Sequence, residues 1–222
     1  MFPLRDNVPA ETKPLITGGI IALNLLAFLY QLSYGPEFES VFLKFGLIPY
    51  HLTHGQEMGY GTAIPAPVTL FTSMFMHGGW GHLIGNMWFL WIFGNNIEDK
   101  LGHFTFVIFY LLSGLAAAAL QILINPSSQI PMVGASGAIA GVLGAYLITF
   151  PRARVLSLIW IGFFVRVMAV PAVFFLGYWI LIQFILGLPT IGQEVGGTAW
   201  FAHIGGFVAG MVLFKGLELL KR

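Results

Sequence analysis

Residues 132–150 read MVGASGAIAGVLGAYLITF. The run is apolar and long enough to be expected to cross a bilayer, yet Ser136 sits near its start among glycines and alanines. Two readings compete for that hydroxyl. It is one more small residue at a helix–helix contact, or it is a nucleophile. The rest of the chain has to decide what stands beside it.

Composition fixes the solvent. Of 222 residues, 57% are hydrophobic and only 9% are charged, and mean hydropathy is +0.84. Soluble domains carry about 25% charged residues, so most of this surface must face lipid. A net charge of +1 does not supply the clustered Lys and Arg of a nucleic-acid footprint, and no nucleic-acid partner is expected. The absence of cysteine excludes disulfides, zinc–thiolate sites and cysteine nucleophiles.

A spanning helix needs about 20 mostly apolar residues. Six segments fit, at about 15–33, 80–97, 104–124, 132–150, 168–187 and 198–214. The expected fold is all-α, a polytopic six-helix bundle over 15–214, with short tails at 1–14 and 215–222. The opening MFPLRDNVPAETKP is polar and Pro-rich and does not look like a signal peptide, so the first apolar run is expected to be retained. VLSLIWIGFFV at 155–165 is too short to span and is expected to be interfacial or re-entrant. The first long connection, about 34–68, contains PEFESVFLKFGLIP, half apolar and suited to an interface plane. With the N-terminus inside, Arg5, Lys13, Lys100, Arg152, Arg154, Arg166, Lys215, Lys221 and Arg222 are cytoplasmic and only Lys44 is outside. The positive-inside bias therefore favours N-in, C-in.

Polar side chains inside a membrane are costly and mark function by default. His82 and Asn86 stand near the start of the second segment, Ser136 near the start of the fourth and His203 near the start of the sixth. These three segments run in one direction, so the four residues share a depth on the order of 5–10 Å below the outer interface. His82 and Asn86, spaced i and i+4, share a helix face. A serine hydroxyl needs a base to take its proton, and histidine is the usual one. Ser136 and His203 could form such a dyad. No Asp or Glu lies in the outer halves of these helices to complete a triad. An acyl-transfer oxyanion needs donors; the Asn86 amide, the His82 imidazole and the Ser136 backbone N–H at the first turn of its helix could supply them.

The glycines carry their own message. Gly134 and Gly137 flank the serine's turn, and Gly137–Gly141 and Gly206–Gly210 are both GxxxG, a spacing that lets membrane helices approach closely. Packing of the fourth segment on the sixth would bring Ser136 to His203. A metal site at His77 and His82 is disfavoured, because H-E-x-x-H is absent and no carboxylate shares their depth. His51, His54 and His103 fall in loops or at a helix edge, and Glu98 and Asp99 read as a solvated helix boundary.

HGGWGHLIGNMWFLWIFGNNIED, GASGAIAGVLGAY and AHIGGFVAG, in this order, resemble the rhomboid intramembrane serine proteases. By that resemblance Ser136 is the nucleophile, His203 the general base, and His82 and Asn86 the oxyanion stabilisers. Gly134 is then the first glycine of the GxSG motif, and Glu98 a structural acid at the end of the second helix. The resemblance implies cleavage of transmembrane protein substrates in or near the bilayer, often after a small residue, with no cofactor and no metal. It leaves the oligomeric state unspecified, and a prokaryotic cytoplasmic membrane is the expected location. Two departures stand out. The long loop lacks the Trp-Arg pair of some members, and Ala140 replaces a Tyr that stacks on the base histidine; Trp200 or Phe201 is the expected substitute. A rhomboid-like binding protein without catalysis is the alternative, and a small-solute transporter is disfavoured because the polar groups gather near one face instead of the midplane.

Overall fold

Apolar runs bounded by Pro and Gly become helices in the computed structural model, which describes residues 1–55, 63–193 and 196–220. Strand β1 (Phe2–Arg5) precedes α1 (Leu15–Leu32). The long connection folds into short helices α2 (Ser40–Phe45), α3 (Pro49–His54) and α4 (Thr69–Thr72). Then come α5 (Trp80–Leu101), α6 (His103–Ile124) and α7 (Ser136–Thr149). Strands β2 (Arg154–Ile161) and β3 (Phe164–Pro171) separate α7 from α8 (Ala172–Gly187), and α9 (Trp200–Leu220) closes the chain. Among the described residues, four helical stretches are long and apolar enough to cross a membrane: Leu15–Leu32, His103–Ile124, Ala172–Thr190 and Trp200–Leu219.

The molecule is apolar on its outside. Leu26 on α1, Leu181 on α8 and Val212 on α9 are all exposed, a distribution suited to lipid. Helix α7 is the opposite case, with every residue from Ala138 to Tyr146 buried. At 14 residues it is about 21 Å long, and it sits among α5, α6, α8 and α9.

Glycine sets how close α7 and α9 come. A Cβ placed on Gly206 would lie 2.0 Å from the Gly137 carbonyl oxygen, and one on Gly210 would lie 2.1 Å from that of Gly141. One on Gly144 would lie 2.0 Å from the Phe207 carbonyl. Backbone meets backbone along this seam, the contact that small-residue spacing permits.

Three sequence expectations need correction. The fold is mostly helical but not all-α, because β1, β2 and β3 form an antiparallel sheet in that order. The stretch at 155–165, expected to be interfacial or re-entrant, is most of a β-hairpin, which replaces the re-entrant alternative. Its Val, Ile, Trp and Phe residues favour strands, and Gly162 at φ +59 followed by Phe163 supplies the two-residue turn. For the same reason α8 starts at Ala172 and not near 168, and Ala172 N–H donates to the Ala153 carbonyl at 2.7 Å.

The third correction concerns Glu98, which is fully buried and not a solvated boundary. Helix α1 starts after Pro14, which offers no side-chain cap. Its first N–H groups need an acceptor, and Glu98 at the far end of α5 provides it. Ile16 N–H and Thr17 N–H donate to the carboxylate at 2.9 and 2.8 Å, and His103 Nδ1 lies 2.5 Å from it. Asp99 accepts from the Glu11 and Thr12 N–H groups and from the Thr12 hydroxyl. The N-terminal segment is thereby strapped to the bundle. Trp88 Nε1–H donates to the Pro3 carbonyl at 2.7 Å, and the Tyr146 hydroxyl donates to Asp6 at 2.5 Å. Burial holds the Asp6 carboxyl above its ordinary range.

Candidate active site

Ser136 opens α7 after Ala135, its αR N-cap residue, because the segment 132–134 before them is held by other partners. Leu47 and Met132 exchange backbone hydrogen bonds at 3.0 and 2.7 Å, and Gly134 N–H donates to the Ser73 carbonyl at 2.9 Å. This pins 132–134 as an extended segment. Gly134 then turns at φ +126, a conformation that favours glycine. Tyr50 N–H donates to the Ser128 carbonyl at 3.0 Å and the Thr53 hydroxyl to that of Pro126 at 2.7 Å. The long connection, without a Trp-Arg pair, is thus anchored on the segment that presents Ser136.

The Ser136 Oγ lies 2.8 Å from His203 Nε2. The glycine seam between α7 and α9 produces this approach. On the other side of the imidazole, His203 Nδ1 lies 2.7 Å from Gln183 Oε1. Gln183 Nε2 donates to the Trp179 carbonyl at 3.0 Å, which leaves Oε1 as the acceptor facing His203. The network therefore puts the proton on Nδ1 and the lone pair on Nε2, toward the serine hydroxyl.

His82 is held in the opposite tautomer. Gly78 N–H donates to His82 Nδ1 at 3.2 Å, so Nε2 carries the proton. That edge faces the serine's turn, because a Cβ on Gly134 would lie 2.8 Å from His82 Nε2 and 3.7 Å from Ser136 Oγ. Gly134 keeps this gap open. Asn86, one turn on, uses one amide N–H on the His82 carbonyl at 3.0 Å and keeps the second. His77 is fully buried behind His82, with ring centroids 5.1 Å apart, and Gln31 clamps its backbone from both sides. Among the described residues no group of three or more His, Asp or Glu gathers as a metal site.

A cavity of about 640 Å³ joins these groups; His82, Asn86, Ser136, Trp179, Trp200 and His203 line it. Gln121, which also lines it, accepts from Ala202 N–H at 3.2 Å and caps the first turn of α9. The structure thus gathers the four predicted polar residues, with Gly134, Gly137, Gly206 and Gly210 at the contacts that make the gathering possible.

The aromatic partner of His203 differs from expectation. Trp179 of α8 lies closest to face-on, with centroids 5.7 Å apart and planes at 35°, and Trp200 meets the ring edge-on at 6.4 Å. Phe201 is buried toward Gly187 instead. Trp179 and Gln183 were missed in sequence. The available signal was that Gln183 is the one strongly polar side chain in AVFFLGYWILIQFILG, one helical turn after Trp179.

Comparison with known proteins points the same way. The rhomboid domain model matches residues 66–217. Rhomboid protease GluP of Bacillus subtilis (strain 168) is 29% identical over 210 residues, covering 94% of this chain and 36% of that protein. Rhomboid protein 1, mitochondrial, of Saccharomyces cerevisiae is 27% identical over 155 residues, 67% of this chain and 41% of that protein. Rhomboid-like protein 11, chloroplastic, of Arabidopsis thaliana is 39% identical over 77 residues, 35% and 27% of the two chains. The chain spans less than half the length of these relatives. Two of these names print an organelle, one mitochondrial and one chloroplastic, so the expectation of a prokaryotic cytoplasmic membrane is not supported. The rhomboid-domain match over more than half of the chain, joined to the apolar exterior, makes this chain a multi-pass membrane protein that belongs to the rhomboid family.

Proposed function

We propose that the chain is an intramembrane serine endopeptidase that cleaves transmembrane protein substrates, with α1, α5, α6, α7, α8 and α9 as six spanning helices and both termini on the cytoplasmic side. The observation that carries this reading is the 2.8 Å approach of His203 Nε2 to Ser136 Oγ, with the lone pair directed at the hydroxyl.

His203 takes the Ser136 proton as Oγ attacks the scissile carbonyl carbon. The carbonyl oxygen becomes an oxyanion beside the Ser136 N–H, the His82 Nε2–H and the second Asn86 N–H. These donors are fixed before the charge forms, which is where their catalytic value lies. Collapse of the tetrahedral species breaks the C–N bond, and His203 gives its proton to the departing amine. Water from the cavity then attacks the acyl-serine with His203 again as base, releasing the acid and restoring Ser136. Among the described residues no carboxylate contacts His203; the Gln183 amide orients the imidazole without supplying a full countercharge.

A helical substrate has its backbone groups paired, so it must unwind locally to present a carbonyl. Substrates with Gly, Ala or Ser near the scissile bond should be preferred. The test is cleavage of two single-span proteins in proteoliposomes, one with such residues and one Leu-rich and Gly-free, beside Ser136→Ala. Cleavage of the first alone, lost in the variant, supports the reading. Equal cleavage of both, or cleavage that survives in the variant, contradicts it.

A further inference from the structure

The hairpin between α7 and α8 is larger than a connection needs to be. Each strand has eight residues, about 26 Å at the usual rise. Only its base is packed. Val155 and Ser157 are fully buried, and β1 pairs no further along β2 than Leu158. Beyond that, Trp160, Phe163, Phe164, Val165 and Val167 are each more than half exposed. Phe164 and Val165 point to opposite faces, so neither face of the tip rests on protein.

Two features choose between environments. A tip this apolar is unfavourable in water. The hydrocarbon core does not suit it either, because among the described residues β3 is an edge strand paired only with β2, and the backbone groups on its outer edge need water or another partner. The headgroup region satisfies both, and aromatic side chains concentrate there. Charge agrees. Arg152, Arg154 and Arg166 lie in or beside the hairpin, and the sequence has no Asp or Glu between Asp99 and Glu194. The exposed apolar surface also continues from β3 onto Val173 and Phe174 of α8, the helix that the hairpin feeds.

We propose that the β2–β3 hairpin is a membrane-interface anchor, seating its Trp160–Phe163–Phe164 tip at the boundary between headgroups and the first acyl-chain carbons, and Arg166 among anionic headgroups. It follows the end of α7 away from Ser136, so it engages the leaflet opposite the catalytic groups. It fixes the depth and tilt of α7 and α8 from below.

The cysteine-free sequence allows a direct test in the full chain. Phe163→Cys and, as an aqueous reference, Glu11→Cys are labelled with an environment-sensitive fluorophore. Both are reconstituted in phosphatidylcholine and in phosphatidylcholine containing phosphatidylglycerol. Thermal unfolding checks that each variant folds; Phe163 touches no core and Glu11 is exposed. The expected result is blue-shifted emission at 163, quenching by a lipid spin-labelled near the headgroup, and several-fold weaker iodide quenching than at 11. Protection should be greater in the anionic bilayer, and Arg166→Gln should remove that increment. Iodide quenching equal at the two positions would place the tip in water and overturn the proposal. Protection from iodide without quenching by the labelled lipid would mean a protein contact, such as a second copy on the β3 edge, and would overturn it too. The readout involves no proteolysis, so it stands or falls separately from the protease reading.

Discussion

Gln183 accepts from His203 because its own amide is already committed. Its Nε2 donates to the Trp179 carbonyl at 3.0 Å, so Oε1 is the atom 2.7 Å from His203 Nδ1. A change at Gln183 therefore acts on which imidazole nitrogen holds the proton. Gln183→Leu should lower turnover roughly 10- to 100-fold, a part of the 10²–10⁴ that a positioned general base supplies. Gln183→Glu keeps an acceptor and should retain more activity than the Leu variant. Steady-state cleavage of a model transmembrane substrate measures both. Equal loss in the two variants would mean that Gln183 only fills space.

The α7–α9 seam leaves no room for a methyl group. Gly210→Ala would drive a Cβ to 2.1 Å from the Gly141 carbonyl oxygen, and overpacking of this kind costs about 1–3 kcal/mol or more. Gly216 lies on the same helix with nothing within 4 Å of its Cβ position. Gly216→Ala should be neutral or stabilise by about 0.5–1 kcal/mol through helix propensity. Thermal unfolding in one detergent compares them, and equal melting temperatures would remove the close-packing argument.

Glu98 joins the start of α1 to the ends of α5 and α6. Glu98→Ala leaves the Ile16 and Thr17 N–H groups and His103 without their shared acceptor, and should cost about 3 kcal/mol or more. Glu98→Gln preserves one acceptor oxygen and should cost less. Thermal unfolding orders the two; the reverse order would show that the carboxylate is not the cap.

Asp6 sets a pH dependence with a definite sign. Burial raises its folded-state pKa above the ordinary 3.8, so the folded protein holds this proton more tightly than the unfolded chain. Stability from this group is therefore present at acid pH and lost as pH rises through that window. Asp6→Asn is always neutral and can still accept from the Tyr146 hydroxyl. The melting temperature of the variant minus that of the wild type should increase from acid to neutral pH. A difference that shrinks over the same range would reverse the assignment.

The sequence made the membrane class and the gathering of Ser136, His203, His82 and Asn86 legible, because few polar residues interrupt long apolar runs. The GxxxG spacings even indicated which helices touch. Other features depended on tertiary context. VLSLIWIGFFV is apolar on both strand faces, so it lacks the alternation that marks a half-buried strand. Glu98 looks like any charge at a helix end until α1 is seen to begin above it. Gln183 and Trp179 lie about 20 residues from His203 on another helix, where no local spacing rule connects them.

The central claim is that Ser136 is an activated nucleophile, and the direct measurement is covalent labelling of the full chain by a fluorophosphonate probe. Wild type, Ser136→Ala and His203→Ala are compared at equal folded concentration. Labelling of the wild type alone is the predicted result. Undiminished labelling of Ser136→Ala, or a wild type that neither takes the probe nor cleaves a transmembrane substrate in liposomes, would contradict the account.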